Sequence, residues 1–138
     1  MARNYRAEAE DHVRRVFLRA KFGQRFSRER LRLSPGGTFD FDAVSDDEKI
    51  VCCISTSAGE TSGGNRAVAK LSKMKADVLH LLLIPGEKKR VMAFTDSDMA
   101  VLLQEEKDNG RIPKDIEILV ADVPPDIRDG LYKRTTDA

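Results

Sequence analysis

An α/β fold, a mixed sheet flanked by helices, is predicted by three observations. A helical apolar repeat opens the chain, three short strand patterns separated by turn signals follow between Arg25 and Ser55, and helical and strand patterns then alternate as far as Tyr132. The run Ile50-Val51-Cys52-Cys53-Ile54 is apolar throughout, as expected of a strand covered on both faces at the centre of such a sheet. With 138 residues, the chain reads as one domain, 1–138, long enough to bury a core without disulfide or metal staples.

Taken in order, Tyr5, Ala9, Val13, Val16, Phe17 and Ala20 recur at three- and four-residue spacing between Asn4, a fitting N-cap, and Gly23, a C-terminal stop. This is an amphipathic helix, with Glu8, Glu10, Asp11, Arg14, Arg15 and Arg19 on its polar faces and Glu10 and Arg14 spaced to pair. Arg25 to Leu33 is read as a first strand that ends at Ser34-Pro35-Gly36-Gly37, a strong turn signal. Thr38 to Val44 forms the second strand, Ser45 to Glu48 the turn, and Lys49 to Ser55 the third strand, which makes an antiparallel meander. Strict alternation on the second strand puts Phe39, Phe41 and Ala43 on one face and Asp40, Asp42 and Val44 on the other. A carboxylate therefore falls where the strand is half-buried; a one-residue register slip would exchange the strand's two faces, and Asp40 and Asp42 both stand as candidates.

The glycine-rich stretch Thr56 to Gly64 leads into a helix from Asn65 to Ala76, and Val78 to Ile84 is read as a buried strand containing His80. The stretch matches neither nucleotide-binding glycine fingerprint. Arg90 to Phe94 follows as another strand, then a helix from Asp98 to Lys107 capped by Thr95 or Ser97 and stopped at Asn109-Gly110. Ile116 to Ala121 is the last strand, and Pro124-Pro125 starts a short C-terminal helix that runs to about Tyr132.

The net charge of +1 excludes an overall basic coat, but it is unevenly spread. Arginines crowd the first 33 residues, whereas Asp40, Asp42, Asp46, Asp47, Glu48 and Glu60 follow against Lys49 alone. Cys52 and Cys53 are adjacent, so on a strand they point to opposite faces and do not bridge each other, which fits a reducing compartment. No leader pattern and no apolar run of spanning length is visible, and a cytoplasmic location without membrane contact is expected.

With this order of elements and the acids of Phe39-Asp40-Phe41-Asp42, the chain resembles the restriction-endonuclease-like, or PD-(D/E)xK, nuclease superfamily from Ala7 to Ile84. The resemblance implies an α-β-β-β-α-β core with extra C-terminal strands and helices. It also implies a site in which an acid of the second strand and an acid and lysine of the third hold Mg²⁺ or Mn²⁺ for phosphodiester hydrolysis, often with a helix glutamate. Asp42, or else Asp40, takes the first position, and Glu8 or Glu10 the helix position. Where the third-strand motif belongs, the sequence reads Cys53-Ile54-Ser55. Either the motif has migrated, with Glu60 as the acid and Lys70 or Lys73 as the lysine, or catalysis has been lost.

Three expectations follow. A nucleic-acid-acting domain would meet phosphates with Arg14, Arg15, Arg19, Arg28 and Arg30, and hold metal with Glu10, Asp42 and Glu60 if active. A degenerate scaffold would bind a partner protein or a second copy of the chain. A cysteine enzyme would need His12 or His80 beside Cys52 or Cys53. The degenerate nuclease-like domain is preferred.

Overall fold

A computed structural model describes residues 3–58 and 64–132. Helix α1 runs through Tyr5–His12, a π-helical turn at Val13–Phe17, and Leu18–Phe22. The side chain of Asn4 caps it by accepting from the Ala7 amide, and Gly23 ends it at a φ of 73°, a conformation that costs glycine nothing. The strands are β1 (Phe26–Arg32), β2 (Thr38–Ser45), β3 (Ile50–Ser55), β4 (Lys89–Phe94) and β5 (Ile116–Val120); the remaining helices are α2 (Gly64–Leu82), α3 (Ser97–Asp108) and α4 (Pro125–Tyr132).

The sheet is mixed and has the order β1-β2-β3-β4-β5. The first three strands form the antiparallel meander read from the turn signals. β4 then lies parallel to β3, and β5 parallel to β4, as helical crossovers require. Two cores sandwich the sheet. One joins Phe41, Val44, Val51, Cys53, Met92 and Phe94 to Met74, Val78 and Leu81 of α2 and Met99 and Leu103 of α3. The other joins Ala43, Cys52, Val91 and Ala93 to Ala9, Val13 and Leu18 of α1 and Ile127 and Leu131 of α4. Cys52 and Cys53 fall in different cores, as the alternation of a strand demands, and both are free thiols.

The expected strand at Val78 to Ile84 is a helix. α2 continues to Leu82, because Met74, Val78 and Leu81 prolong one apolar stripe at helical spacing while Leu79 and Leu82 face outward. Arg90 completes the ending: its Nε donates to the Leu81 carbonyl at 2.7 Å and its Nη2 to that of Ile84 at 2.6 Å, satisfying carbonyls the helix end leaves open. The strand parallel to β3 is consequently β4. A smaller correction concerns α3, whose N-cap is Asp96, accepting from the Met99 amide at 3.3 Å, rather than Thr95 or Ser97. Thr95 is buried and meets Tyr132, oxygen to oxygen at 2.6 Å, tying α4 to the end of β4. Among the described residues, no helix is long and apolar enough to cross a membrane.

Candidate functional site

The second strand does not alternate strictly. Ser27 pairs with Val44 and Glu29 with Phe41, so Asp42 and Ala43 together oppose the single residue Arg28. This is a β-bulge. It returns Val44 to the core face of Phe39 and Phe41, and leaves Ala43 on the α1 face, which reverses both of the faces expected for these two residues. The bulge lies at Asp42, and burial separates the two acids. Asp40 is exposed and paired to Arg30 at 2.8 Å, whereas Asp42 is half-buried.

Next to the bulge, the β2 and β3 strands part. Their ladder holds only Ala43 with Cys52 and Val44 with Val51. The following β3 amide aimed at β2, that of Ile54, donates instead to Asp42 Oδ2 at 2.8 Å. The carboxylate thus fills the fork of the two strands.

Helix α1 supplies the other wall. Arg14 is turned inward, donating from Nε to the Asp42 carbonyl at 2.8 Å and pairing with Glu10 and, at 3.4 Å, with Asp11. Only 12% of its side chain is exposed. It braces the site, where the sequence predicts a surface arginine free to meet phosphates. Arg28 lies 3.7 Å from Glu10. Burial raises the pKa of Asp42, opposed by the Ile54 amide and the charges of Arg28, Arg14 and Lys73. Burial also raises that of Glu10, and the charge of Asp42 adds to it.

A third acid, Asp77 on α2, belongs to the same electrostatic neighbourhood. Its pKa is raised by burial and by Asp42, and lowered by Lys73, one helical turn before it. The sequence does not single out Asp77, because the expected helix stops one residue short of it, at Ala76. Lys73, not Lys70, is the lysine whose charge reaches Asp42; Lys70 donates to the Ala58 carbonyl. Glu8 stands apart, bound by Arg3 at 2.5 Å. Glu60 lies outside the described residues.

Whether a divalent cation fits is answered by the donors. Glu10 is committed to Arg14, and one Asp42 oxygen to the Ile54 amide, while Cys53-Ile54-Ser55 contributes a buried thiol and an apolar side chain. Among the described residues, no three carboxylate, thiol or imidazole groups stand together as a metal-ligating set. The described residues alone do not supply a hard-cation site.

Cysteine chemistry is no better served. Burial pushes both thiols up, away from the reactive thiolate. His80 stacks on Phe39 at 3.9 Å between ring centroids, and its Nδ1 contacts the Ala76 carbonyl. Neither histidine has a hydrogen bond to a cysteine among the described residues.

Comparison with protein-family models, curated proteins and solved structures found no match.

Proposed function

We propose that this chain is a restriction-endonuclease-like domain that binds nucleic acid and has lost the means to cut it. The observation that carries the reading is the fork of β2 and β3, where Asp42 sits with Glu10 of α1 beside it and Cys53-Ile54-Ser55 stands in place of an acid and a lysine. An antiparallel meander followed by a helix and a strand parallel to its third member supports the same likeness.

Binding is assigned to the surface of α1 and β1, where Arg15, Arg19, Arg25 and Arg28 are exposed. Three of these arginines already lie beside acids, Arg15 at 2.9 Å from Asp11, Arg25 at 3.6 Å from Asp46 and Arg28 at 3.7 Å from Glu10, and the exposed Arg30 pairs with Asp40 at 2.8 Å. Such exposed pairs are weak and exchange readily for phosphate. The domain should bind oligonucleotides weakly, tolerantly of sequence and with strong salt dependence. No aromatic side chain is offered for base stacking on this surface: Phe26 is buried, and Phe22 packs on it at 5.9 Å.

A second reading, a protein-interaction or dimerisation scaffold, is favoured by one observation. Leu79 and Leu82 are exposed on the outer side of α2, 53% and 39% respectively. Titration of fluorescent single-stranded and duplex oligonucleotides at several salt concentrations, beside sedimentation of the protein alone, separates the two. Salt-dependent binding by a monomer supports the first; a dimer with no affinity for nucleic acid supports the second.

A further inference from the structure

Outside the carboxylate site, α1 and the start of β1 enclose a notch of about 470 Å³ lined by Arg15, Arg19, Arg25, Phe26, Ser27 and Asp46. Three guanidinium groups face it against a single carboxylate. Arg25 lies 3.6 Å from Asp46, an ion pair too long for a hydrogen bond, and Arg19 has no acid partner among the described residues. Donors are therefore left over for a ligand.

Arg14 and Arg15, both in the π-helical turn, divide the labour. In that turn the Leu18 amide reaches back to the Val13 carbonyl, which widens the helix where Arg14 and Arg15 follow each other. Arg14 is held at Asp42, while Arg15 leaves the helix toward the notch, 73% exposed. One helix thereby serves the carboxylate site with one arginine and the notch with the next.

The lining selects the ligand class. Phe26 is buried and presents no open ring, so a nucleobase finds nothing to stack on. The Ser27 hydroxyl is spent on Glu29 at 2.9 Å, so the free groups are guanidinium N–H donors, the groups that match phosphate oxygens. We propose that the notch is a subsite for one phosphate group of a nucleic-acid chain, terminal or internal, a deepening that rests on the nucleic-acid reading above.

The test is fluorescence anisotropy with a short oligonucleotide carrying a 5′-phosphate, a 3′-phosphate or neither. Arg15→Ala/Arg19→Ala should weaken binding about tenfold, the worth of a charge-assisted hydrogen bond. The logarithmic salt slope should become less negative by about 0.7, the value for one phosphate no longer neutralised. Lys114→Ala, which removes a charge just before β5, should leave affinity within about twofold. Preference for a phosphorylated end would identify a terminal phosphate, and equal binding of all three an internal one. If the wild type binds but Arg15→Ala/Arg19→Ala behaves like Lys114→Ala, the subsite is overturned and the nucleic-acid reading stands. If the wild type binds no oligonucleotide, that reading falls. Inorganic phosphate then decides the notch alone: side-chain NMR shifts confined to Arg15, Arg19 and Arg25 keep it as a phosphate site, and their absence removes it.

Discussion

Asp42→Asn should make the protein more stable at neutral pH. The amide keeps an oxygen for the Ile54 N–H, now at 2.8 Å from Asp42 Oδ2, so the bond survives in weaker, uncharged form, at a cost of about 1 kcal/mol. Against that, the substitution removes a half-buried charge beside Glu10 and Asp77. The raised pKa of Asp42 means that burial outweighs the Ile54 amide and the charges of Arg28, Arg14 and Lys73, so the net change favours the amide. About 1 kcal/mol is expected, within the range found when a strained functional site is relieved, or about 4 °C in Tm for a chain of this size.

The pH dependence fixes the cause. A carboxyl whose folded pKa is raised contributes stability that is fully present below its unfolded pKa and is lost as pH rises through the folded value. The advantage of Asp42→Asn should therefore shrink as the pH falls through the raised folded pKa and be gone below about 4, the unfolded value, where wild-type Asp42 is neutral in both states. Asp42→Ala, which strands the Ile54 amide, should be less stable than Asp42→Asn by about 1 to 3 kcal/mol. Thermal melts of the three proteins between acid and neutral pH supply the comparison. A destabilised Asp42→Asn at neutral pH would refute the reasoning, and a deficit that vanishes in acid would make the carboxylate a structural partner of the arginines.

Further outcomes are expected elsewhere. Gly130→Ala drives a methyl group into the Tyr5 ring, where α4 docks on α1, and should cost about 1 to 3 kcal/mol in denaturant melts, largely restored when Tyr5→Ala is added. Leu79→Pro, at an exposed site inside α2, should cost about 3 kcal/mol or more and reduce the circular-dichroism signal of helix; a harmless proline there would contradict the helix that replaces the expected strand. Cys53→Ala and Ser55→Ala should leave oligonucleotide affinity unchanged, with Cys53→Ala costing about 1 kcal/mol of packing at its buried site. Glu106 is buried with Lys75 at 2.5 Å and Arg111 at 2.9 Å, and its hydrogen bond to Lys75 holds its pKa down. Its contribution is present above the unfolded pKa and is lost as pH falls through the folded one, so Glu106→Gln should lower Tm at neutral pH and flatten the acid side of the profile.

The meander is legible in the sequence because the Pro-Gly-Gly turn and the acidic turn bracket runs of strand length, and β3 because no polar residue interrupts it. The apolar sequence Val78-Leu79-His80-Leu81-Leu82-Leu83-Ile84 misleads because periodicity alone cannot separate a buried strand from the last turns of a helix. Met74, Val78 and Leu81 join it to α2, and its end is set by Arg90, a partner on another element. The same ambiguity hides Asp77, which a helix carried past Ala76 would put one turn beyond Lys73. Asp42 is nominated by strand alternation, yet it owes its place to a bulge opposite Arg28, a feature of pairing between strands that a single strand's pattern does not carry. The π-helical turn escapes the three- and four-residue spacing read for α1: Leu18, five residues after Val13, is buried, while Val16 and Ala20, expected in the apolar stripe, are exposed. Arg14, expected at the surface, lies in that turn and braces the carboxylate site.

Binding without cleavage is tested most directly by incubating the wild-type protein with end-labelled single-stranded, duplex and branched DNA and with RNA, in Mg²⁺ and in Mn²⁺, and following complex and product in parallel. Salt-sensitive complexes with intact substrate, unchanged in Asp42→Ala, are predicted. Metal-dependent cleavage that disappears in Asp42→Ala would contradict the loss of catalysis, and would turn attention to Lys73, Asp77 and Glu60 as the residues that restore the missing motif.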